Sequence, residues 1–143
     1  MLNDKLSLTG ALTISVNGEV VREIKNLVVA TGKALVAQNL QGGNVVPVTH
    51  MAVGTGTTAA AAADAALESE LDRNALTTSG GTQTGPEVLF ESTWLPGDGT
   101  GALTEAGLFT AETGGVMLAR TVFPVVNKGA DDTISIAWTV TIS

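Results

Sequence analysis

The chain has 143 residues, a formal net charge of −7, no cysteine and one histidine, which excludes disulfides, thiolate metal sites and any histidine cluster. Its few cations, Lys5, Arg22, Lys25, Lys33, Arg73, Arg120 and Lys128, are dispersed, whereas phosphate recognition needs them clustered, so no nucleic-acid partner is expected. Apolar residues make up 44% and no apolar run approaches the roughly 20 residues of a membrane span, so the reading is one domain over residues 1–143 with a core and no membrane partner.

The chain opens on MLNDKLSL, which lacks the basic and apolar regions of a signal peptide, and synthesis in a cytoplasm is the expectation. Leu6, Leu8, Leu12, Ile14 and Val16 alternate with small or polar residues and predict a first strand. Asn17-Gly18 follows and then a second apolar run over 19–24. Asn-Gly between two such runs is the strongest short hairpin signal, because both turn positions need positive φ. Residues 27–29 extend the second strand.

Residues 31–40 predict a helix, with Thr31 as N-cap, an apolar face from Ala34, Leu35, Ala37 and Leu40, and Gly42-Gly43 as its stop. Hairpin and helix together form an N-terminal unit, residues 1–44, ahead of a β-region over 45–143. In that region a third strand is expected over 45–53, with Pro47 near its start where a missing donor is tolerable. The alanine tract 57–63 reads as an extended connector, and 64–71 as a short helix capped by Asp64. Two strands are expected over 75–78 and 87–94, joined by the Gly-rich loop 79–86. Val88, Phe90 and Trp94 share one parity in the second of them.

Three further strands, 103–109, 116–132 and 133–143, close the chain, with the turn-rich residues 112–115 between the first two. The last alternates without a break: Ile134, Ile136, Trp138, Val140 and Ile142 share one face, and small or polar residues the other. The sum is a mainly β protein, an antiparallel β-sandwich of about eight strands with one or two short helices. Its expected core includes Trp94, Phe109, Phe123, Ile134, Ile136, Trp138 and Val140.

Few residues invite chemistry. Ala30-Thr31-Gly32-Lys33-Ala34 lacks both the earlier glycine of a phosphate loop, since position 27 is Leu, and the Ser or Thr that should follow the lysine. Gly54-Thr55-Gly56 lacks the third glycine and the βαβ frame of a dinucleotide fingerprint and reads as a turn. His50 has no recognisable nucleophile or orienting partner in sequence and reads as structural. Asp98, Asp131 and Asp132 lie in Gly-rich loops, where aspartates usually bond to their own backbone, and no EF-hand spacing is present. Glu105 lies inside a strand, where a carboxylate is costly to bury unless paired. Arg120, on the next strand, is the expected partner. No catalytic residue, cofactor or metal is assigned.

One pattern is more specific. T-E-x-G-L-F over residues 104–109, a strand carrying Phe123-Pro124 and the alternating final strand resemble, in that order, the small β-domains of tailed-bacteriophage virion proteins. Those include fibre and collar attachment domains. Residues 49–58, THMAVGTGTT, resemble the M-A-x-G-[TS]-G entry of the same domains. The resemblance implies a non-enzymatic structural protein of the virion, made in the bacterial host cytoplasm. It would be a fibre, appendage or adaptor module docking on tail, baseplate or neck. The alternatives are a capsid decoration protein or head fibre and, from a different class, a host-glycan receptor-binding module. The implied partners are other virion proteins and copies of the chain itself, with a trimer favoured. The terminal segments 2–16 and 133–143, as strands that could add to a neighbour, and the Gly-rich loops 41–44 and 78–86 are the expected contact surfaces.

Overall fold

A computed structural model describes residues 6–143; the expected involvement of residues 2–5 lies outside them. The described chain forms nine strands and one helix. In chain order these are β1 (Leu8–Val16), β2 (Glu19–Val28), α1 (Ala30–Gln41), β3 (His50–Gly54) and β4 (Glu70–Ala75). They continue with β5 (Thr82–Thr84), β6 (Glu87–Trp94), β7 (Gly101–Phe109), β8 (Met117–Lys128) and β9 (Ile134–Ile142). Every ladder is antiparallel, and the strands follow the order β4-β3-β7-β8-β2-β1-β9-β6-β5. This ribbon folds over into a β-sandwich. The long β2 belongs to both sheets: most of it pairs with β1, while Leu27 and Val28 pair with β8.

The β1–β2 turn forms as its chemistry dictates, with Asn17 at φ 52° and Gly18 at φ 84°. Between the sheets lie Leu12 and Ile14 of β1, Phe90 and Trp94 of β6, and Ile134, Ile136, Trp138 and Val140 of β9. They meet Met51, Val53, Leu103, Leu108, Phe123 and Val126 of the other sheet. Trp138 also donates from Nε1 to Asn26 Oδ1 at 2.9 Å. The last residue of the alternating set, Ile142, departs from it and is 40% exposed.

A third, partial layer covers the outer face of the β3–β7–β8 sheet. The register shifts between Leu103 and Glu105, so Leu103 packs inward while Glu105 turns to the other face. There the connector 55–69 lies over it, burying Phe109 with Val29, Ala52, Leu67 and Met117. Phe109 is thus buried beneath the connector rather than between the sheets. Arg73 stacks over its ring at 3.7 Å and donates from Nη1 to the carbonyls of Ala111 and Gly114, fixing the β7–β8 turn.

Several expectations are corrected. The helix starts one residue earlier than expected, at Ala30, with Val29 in the cap position. Thr31 does not cap it but donates its hydroxyl to the Met117 carbonyl at 2.8 Å. Gly32 lets this first turn press against β8: a Cβ there would stand 2.0 Å from the Leu118 carbonyl oxygen. Gly42, at φ 78°, ends the helix as expected. The third strand begins at His50 rather than 45, because the Asn39 side chain takes both backbone groups of Val46, its N–H and its carbonyl.

No helix forms over 64–71, since the N–H groups of Glu68 and Ser69 bond to the Glu105 carboxylate instead of to helical carbonyls. The strand expected over 75–78 is β4, which runs from Glu70 to Ala75, and the loop 79–86 contains the short β5. Neither chain-terminal strand is an edge. β1 lies between β2 and β9, and β9 between β1 and β6, so their backbone groups are spent on neighbours within the chain. Strand addition through residues 2–16 or 133–143 is therefore not available along the described strands. The edges are β4 and β5.

Candidate functional site

The most concentrated polar chemistry among the described residues surrounds Glu105. Its side chain is fully buried, and both carboxylate oxygens are saturated. Oε1 accepts from Arg120 Nε at 3.1 Å and from Glu68 N at 2.9 Å. Oε2 accepts from Gly56 N at 2.8 Å and Ser69 N at 2.7 Å. Arg120, 2% exposed, also donates to Asp64 Oδ2 at 2.9 Å and to the Thr58 carbonyl at 3.0 Å. Glu105 and Arg120 are therefore an ion pair across β7 and β8, with a second carboxylate on the far side of the guanidinium.

The arrangement clasps the connector to the sheet. Gly56 is required inside it, because a Cβ would lie 2.4 Å from Glu105 Oε2. Thr104 adds a hydroxyl bond to the Gly56 carbonyl at 2.7 Å. The Asp64 carboxyl is held below its ordinary value of 3.8, chiefly by the Ala61 backbone N–H, with burial opposing the shift and Arg120 adding to it. Glu68 is held below 4.5 by the Thr58 hydroxyl and the Thr57 backbone N–H. A buried carboxylate with four donors is chemically quiet: its lone pairs are engaged, and no face is open to a substrate proton.

Sequence reasoning singled out Glu105 and Arg120 but not the rest of the clasp. Asp64 read as a helix cap, and Glu68 and Gly56 carried no signal that they converge on a strand about 40–50 positions away. Lys128 was also missed. It is 2% exposed, with Nζ donating to the Leu95 carbonyl at 3.0 Å.

The other candidates are separated. His50 opens β3 half-buried, with Nδ1 at 2.8 Å from the Thr49 hydroxyl. Asp132 serves its own turn: it accepts from Asn17 Nδ2 and Gly129 N, which together hold its carboxyl below 3.8. Asp98 and Asp131 are exposed, and no group of three metal-ligating side chains occurs among the described residues. Trp94 and Trp138 are fully buried, and Phe90, Phe109 and Phe123 are buried as well. Because the chain has no tyrosine, no aromatic side chain is left as a platform for a sugar ring.

A second feature is apolar. A groove of about 350 Å³ opens between α1, the segment 42–48 and one end of the β1–β9–β6 sheet. Leu35 and Val36, Pro47 and Val48, and Val88 and Val140 form its walls. The one amide in its lining, Asn39, has both of its polar atoms engaged by Val46, so the groove offers no free side-chain hydrogen-bonding group.

No protein-family model, curated protein or solved structure matches this chain. Function must therefore be argued from the residues and their geometry.

Proposed function

We propose that the chain is a non-enzymatic structural protein of a tailed-phage virion, acting as a fibre, appendage or adaptor module that docks on tail, baseplate or neck. It assembles with copies of itself, most economically as a trimer, after synthesis in the host cytoplasm. The observation that carries this reading is the meeting of the two segments on which the phage resemblance rests. The M-A-x-G-T-G segment, residues 51–56, and the T-E-x-G-L-F segment, residues 104–109, pair as neighbouring strands, with Gly54 opposite Glu105 and Met51 opposite Leu108. Beyond the ladder, Glu105 and Thr104 both bond the backbone of Gly56.

The residues that make both segments recognisable are thus spent on holding one another. That is the expected use of such residues in a rigid module whose work is done by its surface. The same burial weighs against the glycan-binding alternative, since every aromatic side chain lies inside. Capsid decoration keeps the same class of function and differs only in the docking place.

The test is the composition of purified particles. Mass spectrometry and cryo-EM of virions from a lysate in which the gene is expressed should find the chain in several symmetric copies, on the tail or neck. Its absence from gradient-purified particles would overturn the reading, and density on capsid faces would favour decoration.

A further inference from the structure

Exposed leucines are ordinary singly but informative in a cluster. Around the apolar groove stand Leu6, Leu40, Val45 and Ile142, exposed by 82%, 87%, 60% and 40%. Val45 and Ile142 line it directly. Leu40 lies one helical turn beyond Val36, on the same face of α1. Leu6 continues the parity of Leu8, which also lines the groove, and the ladder is prolonged past it by the paired backbone bonds of Ser7 and Ser143. Of the other large exposed apolar side chains, Val20, Leu71, Leu95 and Val125 belong to other parts of the fold, and Val116 lies in a separate depression beside Leu35 and Gln38 of α1.

Charge identifies the occupant. The groove has no charged side chain in its lining, and the chain from Ala34 to Thr49 contains none. A partner chosen to complement a protein of net charge −7 would be basic and would dock where carboxylates are exposed. A neutral apolar face is instead where two equally acidic molecules approach at least electrostatic cost and with little polar surface to desolvate. The face also carries both a recess and protruding leucines, as contact between identical copies requires. We propose that this groove face is the surface through which copies of the chain associate, with Leu40 of one copy entering the groove of its mate. The proposal deepens the self-assembly in the reading above and rests on it, but not on the virion.

Light scattering and sedimentation equilibrium at tens of micromolar test it, on the wild type and on Leu40→Asp, Val45→Asp, Leu71→Asp and Val125→Asp. The wild type should be oligomeric, and more so at high salt, which screens the shared negative charge. Leu40→Asp and Val45→Asp should each weaken association at least about tenfold, with unchanged circular dichroism and melting, while Leu71→Asp and Val125→Asp assemble normally. Leu40→Gln serves in place of any aspartate variant that melts early.

If Leu40→Asp and Val45→Asp assemble like the wild type, the face is wrong although self-assembly stands. A wild-type monomer defeats both the face and the self-assembly reading. A monomer that binds a medium-chain fatty acid, and loses it when Val36→Trp fills the groove, would assign the recess to a small apolar ligand and overturn the proposal.

Discussion

Replacing Glu105 by glutamine exchanges one carboxylate oxygen for an amino group and should undo the clasp. Each carboxylate oxygen receives two donors, Arg120 Nε and Glu68 N on one, Gly56 N and Ser69 N on the other. A carboxamide presents one acceptor oxygen and one amino group. In either orientation two hydrogen bonds survive, and two N–H donors face an NH₂ that cannot accept them. Hydrogen bonds to a charged partner are worth about 1.5–3 kcal/mol each, so the loss is about 3–6 kcal/mol. Against a typical total of about 5–15 kcal/mol, that is a large part of the stability.

Urea unfolding followed by the fluorescence of the buried Trp94 and Trp138 measures the global part. Hydrogen exchange at Gly56, Glu68 and Ser69 measures any part spent on local detachment of the connector. Arg120→Met should cost about 3–5 kcal/mol by leaving a buried carboxylate without its cation. A Glu105→Gln protein within about 1 kcal/mol of wild type, with those three amides still protected, would refute the clasp as a stabilising element.

Trp138→Ala should cost about 3–5 kcal/mol by urea unfolding, as for a large aromatic removed from a core. Trp138→Phe should cost more than Trp94→Phe, because it strands Asn26 Oδ1, whereas Trp94 Nε1 has no partner to lose. Gly32→Ala should destabilise by about 1–3 kcal/mol despite alanine's better helix propensity, since its methyl would meet the Leu118 carbonyl; an unchanged melting temperature would remove close packing as the reason for this glycine. Asp64, Glu68 and Asp132 titrate lower in the folded chain than in the unfolded one, so the unfolded state binds more protons at acid pH. Their stabilisation is complete above the ordinary carboxyl values of 3.8–4.5 and is lost as pH falls through the folded values. Melting scans from pH 6 to pH 2.5 should show that decline, with a shallower slope for Asp64→Asn.

What was legible in the sequence is what local physics decides. The period-2 pattern of β9 needs only its own residues, and Asn17-Gly18 encodes a turn whatever lies beyond it. Two of the misreadings share one cause: backbone donors or acceptors claimed by a side chain outside the segment. Residues 64–71 have the composition of a capped helix, but Glu105 takes the N–H groups of Glu68 and Ser69. Residues 45–49 have the composition of a strand, but Asn39 takes both backbone groups of Val46. The Glu105–Arg120 pair was readable because the two residues lie on consecutive strands. Asp64 was not, because only the folded connector brings it there. The central placement of β1 and β9 is likewise a matter of non-local pairing, which alternation within a strand does not encode.

The fate of most of the cations explains why carboxylates dominate the exposed charge. Arg120 and Lys128 are buried against internal acceptors, Arg73 is spent on Glu70 and the β7–β8 turn, and Arg22 donates to the carbonyls of Pro124 and Val125. Most of the acidic residues, among them Glu19, Glu23, Glu70, Glu87, Glu91, Asp98, Glu112 and Asp131, face water. Like-charged copies therefore repel one another over most approaches. For the proposed association, the uncharged face around Leu40 and Val45 is the approach on which that repulsion would be weakest. Burying Arg120 inside the fold fixes the connector, and burying Lys128 with it leaves the surface mainly negative, which would restrict the orientations open to the proposed self-association.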